Sequence, residues 1–339
     1  MKGAAAMVIL RNTGLFLILA VAVLWGIAQI MTANNKVRHS GYTASVYGEE
    51  IHYLDSADMG INPNGTPVLL LHGSSGNLWD MEYRLSAALQ ARGFRTIIVD
   101  RPGLGSSSRN DPALRDPRMQ AGLMDGFLDA LGVEQAVILG HSLGNTVVMG
   151  MAMNYPDRVI AAVDVAGVSH TWLGESWILY QFVDWPVFGF IWTDILLPLV
   201  GPIILNGMAE ATFAPDPMPE NFIFDGGVNH ILHPKSFRAN ADDNNSLRYM
   251  MVDMYSDYDK IDVPFLLAWG EGEYVQSPTD DHTGVAVPWW NHGARLVNIL
   301  PDTEVVVAEG VGHMMQHFGG DVIADALVSF LDRRGLGQN

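Results

Sequence analysis

The sequence contains no cysteine, which excludes disulfides, thiolate metal sites and a cysteine nucleophile. That absence suits either side of a membrane and fixes no compartment. Basic residues are scarce: 19 Lys and Arg stand against 37 Asp and Glu, a formal net charge of −18. Such a surface repels phosphate backbones and argues against a nucleic-acid partner; its plain reading is solubility. Internal repeats and low-complexity tracts are missing. So is any H-E-x-x-H, and His230 and His233 lie three apart without a carboxylate or third histidine at ligand spacing. No metal and no cofactor are expected. What remains is a chain of 339 residues, enough for one large domain or two ordinary ones with a substantial core.

The N-terminus differs from the rest. Gly14–Met31 carries one polar residue, Gln29, and is long enough to cross the hydrocarbon core of a bilayer. It is longer than the h-region of about 7–15 residues in a cleaved signal peptide, and Met31-Thr32-Ala33 is a poor cleavage site. Residues 1–35 therefore read as an uncleaved single-pass anchor. Lys2, Arg11 and the free amine precede the apolar core while Lys36 and Arg38 follow it, a mild bias that puts the following domain on the extracytoplasmic side.

From residue 36 to 339 the pattern is one of strands alternating with helices. Thr43–Tyr47 and Glu50–Leu54 read as a hairpin; Val68–Leu71, Thr96–Asp100, Ala136–Leu139, Val159–Val165, Val263–Trp269 and Thr303–Val307 read as strands. Helices are expected at Met81–Gln90, Pro117–Leu131, Asn145–Tyr155, near Asn291–Leu300 and at Val322–Leu331. This alternation implies a mostly parallel sheet covered by helices on both faces. Between about Val168 and Tyr258 it stops. That segment holds Trp172, Trp177, Trp185 and Trp192, and the apolar run Trp185–Leu205 broken by Pro186, Pro198 and Pro202. Those prolines and Asp194 argue against a second span and for a helical cap inserted into the sheet domain.

One stretch raises a question of chemistry. In V-I-L-G-H-S-L-G-N, Val137–Asn145, Ser142 lies between two glycines directly after an apolar strand. That is the G-x-S-x-G pattern, a sharp strand-to-helix turn with a hydroxyl at its apex. A serine hydroxyl is a weak nucleophile and needs a base, an orienting acid and N–H donors for the developing oxyanion. Parallel sheets assemble such parts beyond the carboxyl ends of their strands. His313, in G-V-G-H after the last strand, is the candidate base. Glu271 and Glu273 follow the strand V-P-F-L-L-A-W and are candidate acids. The N–H of Leu143, at the start of a helix, and that of Ser74, in H-G-S-S-G-N after V-L-L-L, are candidate oxyanion donors.

Four motifs in order, H-G-S-S-G at 72–76, D-R-P-G-L-G-S-S at 100–107, G-H-S-L-G at 140–144 and G-V-G-H at 310–313, make the chain similar to the α/β-hydrolases from about residue 40 to 335. The resemblance implies an α/β-hydrolase fold with a cap at about 168–258, Ser142 as nucleophile, His313 as base, and the N–H groups of Ser74 and Leu143 as oxyanion hole. It puts the acid at Glu273, where aspartate is commoner. A long insertion after Val275 keeps Asp280 and Asp281 as reserve candidates. Haloalkane dehalogenases and epoxide hydrolases of this family use an aspartate nucleophile, which Ser142 replaces.

The expected function is that of a membrane-anchored serine hydrolase, carboxylesterase- or lipase-like, that cleaves apolar small-molecule esters and meets membrane lipid. C–C bond hydrolases and cofactor-free haloperoxidases share the serine, and a non-catalytic ligand-binding protein could keep the shape. Sequence alone does not separate these, because fold does not give substrate; nor does it give an oligomeric state.

Overall fold

The computed structural model describes residues 2–35, 40–171, 178–271 and 292–337. Eight strands form one sheet: β1 (Tyr42–Val46), β2 (Glu49–Asp55), β3 (Pro67–Leu71), β4 (Arg95–Val99), β5 (Ala136–His141), β6 (Val159–Val165), β7 (Phe265–Gly270) and β8 (Thr303–Ala308). Their order is β1-β2-β4-β3-β5-β6-β7-β8, antiparallel at β1–β2 and β2–β4 and parallel thereafter.

The central strands are apolar on both faces because both are covered. In β3, Leu69 and Leu71 pack into one layer while Val68 and Leu70 pack into the other. The first layer is closed by α2 (Pro117–Ala130) and α3 (Asn145–Asn154), which contribute Leu123, Phe127, Val147 and Met151. The second is closed by the helical segment beginning at Leu78 and by α6 (Gly320–Arg333), through Leu85, Leu89, Ile323 and Leu327. Strand positions follow the sequence reading within about two residues. The helix expected to begin at Met81 begins at Leu78 instead. Asn77 caps it, its side chain accepting a hydrogen bond from the Trp79 N–H at 2.8 Å.

The N-terminal helix α1 (Lys2–Asn34) includes a stretch, Leu10–Asn34, of 25 residues that is long and apolar enough to cross a membrane and only 6% buried. Its end is fastened to the helices between β6 and β7. Asn35 Nδ2 donates to the Asn229 carbonyl at 2.7 Å, Asn229 Nδ2 returns a bond to Asn35 Oδ1 at 2.8 Å, and His233 Nε2 donates to the Asn35 carbonyl at 3.1 Å.

The segment between β6 and β7 is mainly helical among its described residues, and Trp172 and Trp177 lie outside them. Pro186–Phe213 runs as one helical stretch of 28 residues, 39% buried, where the prolines suggested interruption. A π turn at Ile191–Leu196 leads into α4 (Leu197–Phe213). The wide turn accounts for Pro198, whose ring meets the carbonyl four residues back, at Asp194, within that turn, while Pro202 is accommodated inside α4 itself. The stretch is apolar enough to span, yet Leu197, Ala209 and Phe213 are buried against the rest of the protein. A second long helix, α5 (Pro234–Tyr255), lies across the carboxyl side of the sheet and sends Leu247, Met251 and Met254 into the first core layer.

Candidate active site

Strands β3 and β5 are neighbours in register, Leu71 beside Gly140, so the loops leaving their carboxyl ends meet. Ser142 opens the 3₁₀ turn Ser142–Gly144 that leads into α3, and its φ of 51° lies in the left-handed region. A non-glycine residue is held there only when its surroundings over-determine it. The flanking glycines supply that constraint through close approach and not through positive φ of their own. A Cβ on Gly144 would stand 2.3 Å from the Leu71 carbonyl oxygen, and one on Gly140 would meet the Val148 side chain at 2.6 Å. Neither site admits a side chain, so the serine stays at the apex of the turn.

His313 lies between β8 and the short helix Met315–Phe318, and its Nε2 is 3.2 Å from Ser142 Oγ. Both residues are half-buried. The His313 backbone is held on both sides. Asp216 accepts a hydrogen bond from the Gly312 N–H at 2.7 Å, and His141 Nε2 lies 3.1 Å from the His313 carbonyl oxygen. A ring nitrogen facing a carbonyl must carry the proton, so His141 is the Nε2–H tautomer. Burial, helped by the charge of His313, pushes its pKa down to about 3 and keeps it neutral.

The loop after β3 is fixed just as tightly. His72 Nε2 accepts from the Arg101 N–H at 2.9 Å while its Nδ1 lies 2.9 Å from the Gly73 carbonyl oxygen, which assigns the proton to Nδ1. Burial and the Arg101 charge lower its pKa to about 3. Arg101, fully buried, reaches the carbonyl oxygens of His72 at 2.8 Å and Gly73 at 3.2 Å. Ser74, Ser75 and Gly76 thereby line the same cavity as Ser142 and His313.

That cavity has a volume of about 280 Å³. Its far wall is apolar and comes mainly from α4 and the segment after it, through Ile204, Leu205, Met208, Phe213 and Phe222. Its polar end holds the two loops, Tyr180 and Asp80. Asp80 is buried and accepts from His317 Nε2 at 2.6 Å and from Gln316 Nε2 at 3.2 Å. Burial alone would raise its pKa; the His317 hydrogen bond and charge outweigh this and hold it below the ordinary value.

Of the site residues named from sequence, the structure brings together Ser142, Leu143, Ser74 and His313. Glu273, Asp280 and Asp281 lie outside the described residues. Glu271 accepts from the Gly310 N–H at 3.2 Å and so braces the loop before His313. Among the described residues no cluster of three or more His, Asp or Glu could hold a metal ion. Sequence reading missed Asp80, Arg101, Tyr180, Asn240 and Asn244. A signal was present for the last two: Asn240, Asp243 and Asn244 are polar at i, i+3 and i+4, which sets them on one face of a helix.

A mostly parallel sheet, a strained serine on the turn leaving a central strand, and a histidine brought back from the last strand define the α/β-hydrolase class. The chain belongs to the alpha/beta hydrolase family, whose model matches residues 68–326. It is 32% identical over 286 residues to the 2-hydroxy-6-oxo-6-phenylhexa-2,4-dienoate hydrolase of Burkholderia cepacia, covering 79% of this chain and 88% of that protein. It is 35% identical over 133 residues to the mouse bifunctional epoxide hydrolase 2, but that match covers 39% of this chain and only 22% of the mouse protein. Among solved structures, a membrane phospholipase A described as a bacterial virulence factor superposes with a TM-score of 0.57 at 21% identity, covering 95% of this chain and 97% of that one. At that identity the likeness is one of fold.

Proposed function

We propose that this protein is a membrane-tethered serine hydrolase that cleaves ester-type bonds of apolar substrates through an acyl-enzyme. One observation carries the reading: His313 Nε2 stands 3.2 Å from the hydroxyl of Ser142 at the polar end of an otherwise apolar cavity. Neutral His313 accepts the Ser142 proton as Oγ attacks the carbonyl carbon. The N–H groups of Leu143 and Ser74 receive the oxyanion. The imidazolium then returns its proton to the leaving alcohol, and water activated by the same ring releases the acid. Glu273 is the proposed orienting carboxylate. Fluorophosphonate labelling with a p-nitrophenyl ester panel of increasing chain length tests the reading. A single labelled serine and a preference for medium chains are expected; an unlabelled, inactive protein would sink it.

The relative from Burkholderia cepacia favours a second reading, C–C bond cleavage. The cavity speaks against it. A dienoate carries a carboxylate, which calls for a cationic partner, yet the described residues lining the cavity include no Lys or Arg and do include the carboxylate of Asp80. An uncharged ester suits that lining better.

The acid assignment has its own test. Glu273→Gln should lower kcat by about 10²–10⁴, by analogy with other triad carboxylates. Asp280→Asn and Asp281→Asn should leave it nearly unchanged. Collapse in an aspartate variant, with Glu273→Gln near normal, would move the acid into the loop that follows.

The tether rests on α1 and on what lies beside it. Trp185, Val187, Phe190, Ile203 and Phe224 are exposed on the helices to which α1 is fastened. Tryptophan and large apolar side chains suit the membrane interface. A second cavity, of about 520 Å³, lies between the end of α1 and those helices and shares Leu205, Phe222 and Leu232 with the first. Removing residues 1–30, which leaves Asn35 in place, should free the protein from membranes. Hydrolysis of a short soluble ester should persist while turnover of bilayer-embedded esters falls. Release of the full-length protein by carbonate washing, with a mature N-terminus near Ala33, would refute the anchor.

A further inference from the structure

We infer that Asn240, on α5 of the helical segment between β6 and β7, is the positioning residue that sets the oxyanion-binding conformation of the loop after β3. The inference rests on the serine-hydrolase reading and adds to it a residue 98 positions beyond Ser142 in the chain and outside the sheet.

The geometry is specific. Asn240 Oδ1 accepts the Ser75 N–H at 2.7 Å and the Ser74 hydroxyl at 3.0 Å. A backbone N–H can only donate, so the amide orientation is fixed with Oδ1 toward the loop. Nδ2 then donates to Ser75 Oγ at 3.1 Å and to Tyr180 OH at 2.9 Å. One helical turn on, Asn244 Nδ2 donates to Ser74 Oγ at 3.0 Å. Asn240 is fully buried, so each of these bonds is expensive to leave unmade.

The loop needs such a partner. Ser75 has a φ of 56°, a left-handed conformation that a serine does not adopt without external restraint. Asn240 takes the N–H of that very residue and thereby restrains the preceding peptide units, including the one that carries the Ser74 N–H, the proposed oxyanion donor. From behind, Arg101 holds the His72 and Gly73 carbonyls while donating to Asp243 of the same helix at 2.9 Å. Helix α5 therefore grips the loop from two sides. Asn240 itself touches no reacting atom; it acts through Ser74 and Ser75.

The role predicts an effect on the transition state and little on ground-state binding. Asn240→Ala should lower kcat for a short p-nitrophenyl ester about 10- to 100-fold, somewhat less than outright loss of an oxyanion donor. KM should stay within about twofold, and the inhibition constant of an alkyl boronic acid, which forms a tetrahedral anion on the serine, should rise by the same factor as kcat falls. Asn240→Asp should recover most of the rate, because the hydroxyls of Ser74, Ser75 and Tyr180 can all turn to donate while the Ser75 N–H keeps its acceptor. If Asn240→Ala does not fold, Asn244→Ala leaves the Asn240 side chain in place, removes the bond to Ser74 Oγ together with one to the Asn240 carbonyl oxygen, and should lower kcat about three- to tenfold with KM unchanged. A rise in KM at constant kcat, or an unchanged boronate constant, overturns the assignment. A wild-type protein that no fluorophosphonate labels brings down the serine-hydrolase reading and this inference with it. A labelled wild type with an equally fast Asn240→Ala brings down the inference alone.

Discussion

Ser142→Ala should fold like the wild type, escape fluorophosphonate labelling and lose at least about 10³-fold in kcat, since removal of a nucleophile that works with its base as a unit costs several orders of magnitude. The substitution deletes one oxygen and asks little of the fold. Alanine is as strained as serine at a φ of 51°, so the backbone preference barely changes. The lost hydroxyl had Nε2 of His313 as its partner, and that half-buried ring can turn to water. Stability should therefore hold while chemistry disappears. A variant that still labels and turns over esters at the wild-type rate would show that another residue carries the reaction. His313→Gln provides the matching control, because it leaves the hydroxyl without a base.

Acid should unfold this protein early, and for a reason that lies outside catalysis. His72, His141 and His170 are buried, and burial lowers each pKa from the ordinary 6.5 to about 3. Burial moves His230 in the same direction. The unfolded chain binds these protons below pH 6.5 while the folded chain binds them only near pH 3, so stability falls as pH drops through that window. Each histidine contributes about 1.4 kcal/mol per pH unit, which makes about 4 kcal/mol per unit for the three together. Native domains hold only about 5–15 kcal/mol in all. Asp80 and Asp100, whose pKa values are held below the ordinary 3.8 by their histidine partners, add a further loss once the pH falls below that value. Between pH 7.5 and 5.0 the melting temperature should fall by about 10 °C or more. Unfolding followed by far-ultraviolet circular dichroism across that range checks it, and a flat midpoint would contradict the assignment of neutral buried imidazoles.

Much of the site was legible in the sequence because its parts are local. The turn around Ser142 is written in nine consecutive residues, and each glycine there answers to a contact within the turn or with the strand beside it. His313 and Ser74 could be found because strands are marked by apolar runs and sites lie at their ends. The core positions of β3 and β5 followed from the same runs. What could not be read is the pairing of distant polar residues. Nothing within ten positions of Arg101 says that its guanidinium is buried against Asp243, or that Asn240 accepts from Ser75 across 165 positions. Helical spacing put Asn240, Asp243 and Asn244 on one face, but a polar face is ordinarily a solvated one. Only packing shows that this face points inward. The continuity of Pro186–Phe213 within the expected helical cap was hidden for a related reason: proline rules describe a regular helix, and a π turn beside Pro198 changes what the chain can absorb.

The double hold of Asp243 by Arg101 and Arg109 has a mechanical consequence. All three side chains are nearly excluded from solvent, and breaking such a contact leaves buried charge uncompensated at about 3–5 kcal/mol. Any motion that lifts α5 off the sheet must meet that barrier and must also disarm the loop beside Ser142. Displacing α4 disturbs dispersion contacts among Leu197, Ile231 and Leu232 and, at the π turn that leads into it, an ion pair of Asp194 with Arg238 that is more exposed than the Asp243 pair. The two helices over the cavity are thus held unequally: α5 is bolted to the loop beside Ser142 through buried charge, and α4, which forms most of the apolar wall, is the beam with the weaker fastening.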